Sequence, residues 1–263
     1  MDSFNSHLKK AINKKQSWLC VGLDINPGAL NINDLESVKK HTFKVIDATR
    51  EFAVAYKPNF AFFERWGSAG FKWLEDTVSY IGDKHIKIAD AKRGDIGNTA
   101  RQYSKSIFNH FGFDSVTINP YMGRDSIIPF INQKEKGAFI LCRTSNNSAK
   151  DFQDIKFNNM PLYENVASLI KNLNKQDNLG LVVGATAPKE LKNIRNIASD
   201  LPILIPGIGA QGGNLEKSLL MANKTGVGII NISRGISFID DMSEKAIHSK
   251  ASNYVKQMRE ILN

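Results

Sequence analysis

His85-Ile86-Lys87-Ile88-Ala89-Asp90-Ala91-Lys92-Arg93-Gly94-Asp95-Ile96 begins as a short run, largely apolar and β-branched apart from His85 and Lys87, and ends in a burst of charge. A run that is continuously apolar, rather than alternating, is what a strand buried on both faces looks like. Seven other stretches share its first half: Trp18–Leu23, Ala53–Lys57, Ser115–Ile118, Ala138–Cys142, Leu179–Val183, Pro202–Ile205 and Gly228–Ile232. Between most of them the apolar spacing lengthens to that of a helix. Phe62–Tyr80, with Phe63, Trp66, Phe71 and Trp73, is one such stretch; Ala100–Asn109, Leu162–Asn172, Glu190–Ala198 and Leu215–Ala222 are others. Helices are also expected at the two ends, Ser3–Lys14 and Ser243–Leu262. Buried strands alternating with helices mean a parallel sheet with helical crossovers. Eight strands in 263 residues predict an α/β chain folded as a single (β/α)8 TIM barrel, one domain over residues 1–263, with an additional N-terminal helix. An open, doubly wound sheet is the alternative that the same alternation permits.

Composition narrows the class of protein. At 42% hydrophobic and 23% charged residues the chain is ordinary globular material, which excludes disordered and fibrous readings. No run approaches the length of a membrane span, and the polar, basic start Met1–Gln16 lacks the apolar stretch of a secretory signal. Cys20 and Cys142 each sit inside an apolar run and read as buried, reduced thiols, which predicts a cytoplasmic protein. The net charge of +9 favours anionic partners, but it does not choose between nucleic acid, a membrane surface and a small phosphorylated molecule. The lysines are scattered, with no basic tail and no zinc-finger spacing. The five histidines lack metal-ligand spacing, and His85, opening a strand, reads as structural. No G-x-S-x-G elbow is present.

In such a barrel the chemistry sits where strands end at the carboxyl face. Run one ends in Asp24, run two in Lys57, and run three in Asp90-Ala91-Lys92-Arg93-Gly94-Asp95-Ile96. Three carboxylates and two ammoniums could therefore meet at one mouth. Asp90 and Lys92, two apart, would face the same side of an extended segment. Carboxylates around a lysine keep it charged and fix where its proton points. The bland alternative is an ion-pair network that only closes the barrel end. Run five ends in Arg143-Thr144-Ser145-Asn146, where Thr144 and Ser145 could touch a ligand or simply cap a turn. Run seven ends in Pro206-Gly207-Ile208-Gly209-Ala210-Gln211-Gly212-Gly213 and run eight in Ser233-Arg234-Gly235. Glycine-exposed amides before a helix, together with an arginine, suit a phosphate, at the two loops where these barrels usually bind one. The G-x-G-x-x-G in Gly207–Gly212 lies too late in the chain for a dinucleotide fingerprint.

These residues also resemble a known family. Asp90-Ala91-Lys92-Arg93-Gly94-Asp95-Ile96-Gly97-Asn98-Thr99-Ala100 is similar to the D-x-K-x-x-D-I-x-x-T signature of the orotidine 5′-phosphate decarboxylases, in the variant of the bacterial subgroup with longer chains. Gly22-Leu23-Asp24, Tyr56-Lys57-Pro58-Asn59, Arg143–Asn146, Pro206–Gly213 and Asn231–Gly235 follow in the family's order, so the resemblance spans residues 22 to 235. It implies a barrel that converts orotidine 5′-monophosphate to UMP and CO2, the last step of de novo pyrimidine synthesis, with neither metal nor organic cofactor. It implies a homodimer in which Asp95, Ile96 and Thr99 reach the partner's site. Lys57, Asp90, Lys92 and Asp95 would be the charged catalytic network, with Lys92 the proton donor to C6. Asp24 and Lys57 would hold the ribose hydroxyls, Ser145 the pyrimidine edge, and Gln211 and Arg234 the phosphate. Pro206 would join the substrate-binding set, and Gly212, Gly213 and Ser233 the phosphate-binding one. After Asn146 the family usually continues with proline-glycine, and Asn147-Ser148 stands here instead.

Two other readings compete. Relatives with the same Asp-x-Lys-x-x-Asp motif act on phosphorylated keto sugars with Mg2+, but there a carboxylate replaces the second-strand lysine, and Lys57 would repel the cation. A basic nucleic-acid-binding protein without catalysis rests on the +9 charge alone and gives no reason for Asp90 and Asp95 beside the lysines.

Overall fold

Closure decides between the two sheets that the sequence permits. In the computed structural model, which describes residues 2–209 and 212–263, the first strand β1 (Leu19–Leu23) pairs in parallel with β2 (Ala55–Pro58) on one side and with β8 (Gly228–Ile232) on the other. Between them run β3 (Ile86–Arg93), β4 (Ser115–Ile118), β5 (Gly137–Arg143), β6 (Leu179–Val183) and β7 (Ile203–Pro206), each beside its neighbours in chain order, so the eight strands form a closed parallel barrel. All eight expected strands are present, most within one or two residues of their expected ends.

Side-chain alternation sorts each strand into an outer and an inner face. On β1, Leu19, Val21 and Leu23 join the large cluster between barrel and helices, while Cys20 joins the cluster inside the barrel. On β3, Ile86 and Ile88 point inward and Ala89 outward. α1 (Phe4–Lys15) lies across one end of the barrel, and the outer layer is built by α2 (Leu35–Thr49), α3 (Gly67–Ile81), α4 (Gly97–Lys105), α5 (Leu162–Leu173), α6 (Pro188–Ile197), α7 (Leu215–Ala222) and α8 (Glu244–Leu262). α1 begins where Ser3 caps the amide of Ser6, and Phe4, Leu8 and Ile12 from its buried face close the bottom of the barrel.

The structure departs from expectation at a few places. The helix read over Phe62–Tyr80 is two helices, Phe60–Glu64 and α3, broken at Trp66–Gly67. Gly67 has φ +59°, and at Gly70 the chain packs so tightly on the carbonyl of Phe63 that a Cβ would overlap it. α2 was not among the expected helices, although Asp34 caps it and Val38, Val45 and Ile46 form its buried stripe. No α-helix joins β4 to β5; three short 3-10 turns, Pro120–Met122, Arg124–Ser126 and Ile128–Phe130, do so. The polar stretch Lys150–Pro161, expected as a lid or a surface loop, holds a one-turn helix, Lys150–Gln153, and a two-stranded hairpin pairing Lys156–Phe157 with Met160–Pro161. Asn158 and Asn159, both at positive φ, form its turn, a conformation asparagine tolerates well.

Candidate active site

The inward-facing row, followed two residues beyond its last apolar member, becomes polar. After Ile86 and Ile88 comes Asp90; after Cys20 and Gly22 comes Asp24; after Ala55 comes Lys57. These residues line one cavity of about 440 Å³ at the carboxyl ends of the strands. Lys92, Ser145, Pro206, Ser233 and Arg234 line it too, as does Thr144.

The triad at its centre is tightly bonded. Lys57 Nζ lies 2.5 Å from Asp90 Oδ2, and Lys92 Nζ lies 2.6 Å from Asp90 Oδ1. Thr117 on β4 donates its hydroxyl to Asp90 Oδ1 at 3.2 Å and accepts the backbone N–H of Lys92 at 3.0 Å. Burial alone would push the Asp90 carboxyl up, but the two ammoniums outweigh it and hold it well below the usual carboxylate range. Burial likewise works against a charged Lys57, and Asp90 and then Asp24 more than offset it, so its ammonium is held well above the usual lysine range. Asp24 Oδ1 is itself buried without a hydrogen-bond partner among the described residues.

Lys92 is placed by an irregularity. The pairing of β3 with β4 shifts register between Ala89 and Arg93, and Lys92 takes φ +45°. A left-handed lysine costs about 1–2 kcal/mol, and such strain persists where the surroundings hold it. The bulge turns Arg93 outward, to Glu64 at 3.1 Å and over the rings of Phe60 and Tyr103. The side chain of Lys92 is left half-exposed to the cavity, against the nearly buried Asp90.

Other expected site residues lie elsewhere. Asp95, Ile96 and Thr99 do not line this cavity. Asp95 and Ile96 lie between β3 and α4 and Thr99 in the first turn of α4, with Asp95 half-buried, Ile96 49% exposed and Asp95 Oδ1 accepting the Ile96 amide at 2.8 Å. Gly212 and Gly213 also stand back from the cavity. Their amides close the loop on itself, to the carbonyls of Gly209 at 2.9 Å and Gly207 at 3.1 Å. Gln211 lies outside the described residues. His85 is at the other end of the barrel, its Nε2 2.9 Å from the carbonyl of Arg50.

The loop after β5 is held from behind. Gln153 accepts the Thr144 N–H at 2.9 Å and donates to the Thr144 hydroxyl at 2.8 Å, which in turn donates to Asn146 Oδ1 at 2.7 Å. Asn147-Ser148, where the resemblance led to an expectation of proline-glycine, form a short 3-10 turn, Asn147–Ala149. Reading only the residues past each strand overlooked Thr117, Asn59 and Asn231, all of which line the cavity. The signal for Thr117 and Asn231 was available: each is a polar residue on the inward parity of a strand.

The arrangement can hold a fixed ammonium over a bound ligand and meet that ligand's anionic group with Arg234. Comparison with known proteins gives the chain a lineage. A profile of the "Orotidine 5'-phosphate decarboxylase / HUMPS family" matches residues 17–247. The chain is 46% identical over 241 residues to an orotidine 5′-phosphate decarboxylase of Natronomonas pharaonis, covering 90% of this chain and 88% of that one. It is 44% identical over 266 residues to one of Dehalococcoides mccartyi, covering 99% and 97%. The solved OMP decarboxylase of Leishmania donovani superposes with a TM-score of 0.88 at 35% identity, over 98% of both chains. With its barrel, its mouth and its sequence all pointing one way, the chain belongs to the orotidine 5′-phosphate decarboxylase / HUMPS family.

Proposed function

We propose that the protein is a carboxy-lyase that removes CO2 from orotidine 5′-monophosphate to give UMP, the final step of de novo pyrimidine synthesis. The observation that carries the reading is the bonded Lys57–Asp90–Lys92 triad at the mouth of a family barrel. Breaking the bond between pyrimidine C6 and its carboxylate leaves an electron pair in an sp2 orbital that the ring cannot delocalise. A preorganised charge must stabilise it. Lys92 faces C6, stabilises the developing carbanion, gives it a proton and recovers one from water. Asp90 lies beside the departing carboxylate and holds Lys92 in place, and Lys57 keeps Asp90 ionised. No metal step is part of this reading: the Lys57 ammonium is bonded to Asp90 and would repel a divalent cation there. This disfavours the Mg2+-dependent sugar-phosphate reading.

Asp24 and Lys57 hold the ribose, Ser145 the base edge, and Arg234, with the loop of Gln211, the phosphate. Phosphate binding far from C6 supplies energy to position the ring. The working unit in this reading is a homodimer: Asp95, Ile96 and Thr99 do not line their own cavity, and the exposed Ile96 and Thr99 suit a neighbouring one. A cytoplasmic setting fits the two buried free thiols, and no helix among the described residues is long and apolar enough to cross a membrane.

Loss of the ultraviolet absorbance of orotidine 5′-monophosphate, followed with and without EDTA, tests the reaction. An EDTA-indifferent decay supports it, whereas a reaction that EDTA stops, or none at all, overturns it. Mixing Asp95→Ala with Lys92→Ala chains tests the dimer: each mixed pair regains about one working site in two, and no recovery would rule out a shared site.

A further inference from the structure

The charged triad uses only part of the inward-facing row. Asn231 on β8 belongs to the same row, stands in register with Cys20 on β1 and is only 7% exposed. It lines the cavity on the wall between Asp24 and Arg234. Its Oδ1 accepts from the Cys20 thiol, with Sγ 3.6 Å away. Complete burial pushes that thiol up to about 12, so at neutral pH it carries its proton and acts as a donor. The thiol thereby fixes the amide: Oδ1 turns to Cys20, and Nδ2, which has no partner among the described residues, turns to the cavity. Gly22 keeps the spot open, because a Cβ there would come within 2.8 Å of Ser233 Cβ and 3.1 Å of Asn231 Oδ1. A buried donor left unpaired when ligand displaces water is costly. The cost disappears only if the ligand brings an acceptor oxygen to it.

We propose that Asn231, oriented by Cys20, is a substrate-binding residue whose Nδ2 donates to an oxygen of the sugar–phosphate half of the nucleotide. The identity of that ligand rests on the decarboxylase reading above. The choice of half follows from position. Asn231 pairs in register with Pro206 of β7 and Cys20 of β1, and its strand leads directly into Ser233 and Arg234. The triad that faces the reacting carbon is on β2 and β3. A donor here pairs with a hydroxyl, ether or phosphate oxygen and rejects a cationic or apolar group.

Calorimetric titration of UMP and of ribose 5-phosphate into wild type, Asn231→Leu and Asn231→Asp, alongside steady-state decarboxylation, tests this. Loss of one hydrogen bond that leaves its partner unpaired predicts about a tenfold weaker affinity for both ligands, and a defect that falls mainly on KM rather than kcat. The aspartate keeps the volume and the acceptor for Cys20 but lacks the donor, so it decides the question even if the leucine variant does not fold. Cys20→Ala loses less in the same direction, and Cys20→Ser, which keeps a donor, recovers it. Wild-type affinity for both ligands in a folded Asn231→Asp overturns the proposal, as does a weakening confined to UMP. If the wild type does not decarboxylate while both affinities still fall in the variants, the reaction reading fails and the contact stands.

Discussion

The two ends of the barrel are made of the same strands and behave as different materials. At the amino end, α1 lays Phe4, Leu8 and Ile12 over the inward residues Ile86, Ile88, Phe139 and Ile229. The Phe4 ring meets Phe139 edge-on at 5.9 Å, and Gly137 is glycine because a Cβ there would strike the Phe4 ring. Two residues further along the same inward rows, about 7 Å, the side chains are Lys57 and Asp90. Each large apolar side chain buried at the first end stabilises by about 1.5–3 kcal/mol. A charge buried at the second end costs stability unless it is paired, and the pair at best offsets that cost. The bottom of the barrel therefore supports the strain and desolvation of the top, and the two ends should fail in different ways when damaged.

The largest effect expected is Lys92→Ala, which should lower turnover by about 10⁴-fold or more, since in the proposed reaction Lys92 supplies both the charge over C6 and the proton. UMP binding should stay close to wild type; turnover within tenfold of wild type would remove Lys92 from the chemistry. Lys57→Met leaves Asp90 buried with one partner fewer, and should cost about 3–5 kcal/mol in denaturant unfolding as well as activity. Phe4→Ala should cost a similar or slightly smaller amount, about 3–5 kcal/mol, by opening a cavity at the bottom. Its KM for orotidine 5′-monophosphate should not change, and a KM that rises with the lost stability would mean the ends are coupled. Arg234→Ala should raise KM by about 10- to 100-fold, the worth of a charge-assisted contact to phosphate, with no loss of stability.

The smallest effect is a pH dependence that stays flat. The Asp90 carboxyl is held below its ordinary value, so its stabilisation is present above about pH 4 and is lost as pH falls below that. Lys57 is held above its ordinary value, so its stabilisation is present below about pH 10 and is lost only as pH rises further. The stability difference between wild type and the double variant Lys57→Met/Asp90→Asn, which removes both titrating groups, should therefore be constant from about pH 5 to 9. A titration of that difference inside the window would mean that the pair is not charged as described.

Local pattern was enough for the strands and for most of the mouth. Apolar runs bounded by charge identify buried strands, because a parallel strand covered on both faces has no polar side to show. Counting them predicts the barrel, and the residue after each run predicts Asp24, Lys57 and Asp90. The helix break at Gly67 was harder to read, because it depends on how closely Gly70 approaches the backbone of Phe63. The hairpin at Asn158-Asn159 is only two residue pairs long and has almost no strand pattern to find.

By itself, the sequence determined which side chains alternate onto the inward face and where each strand stops being apolar, since both follow from a period of two and from the cost of burying charge. Closure of β1 against β8 was decided only by the tertiary structure, and with it the meeting of Asn231 with Cys20 across 211 positions. So was the register shift that turns Lys92 back onto Asp90 and Arg93 out to Glu64. Pairing across a closed sheet depends on contacts far apart in the chain, which no local spacing encodes.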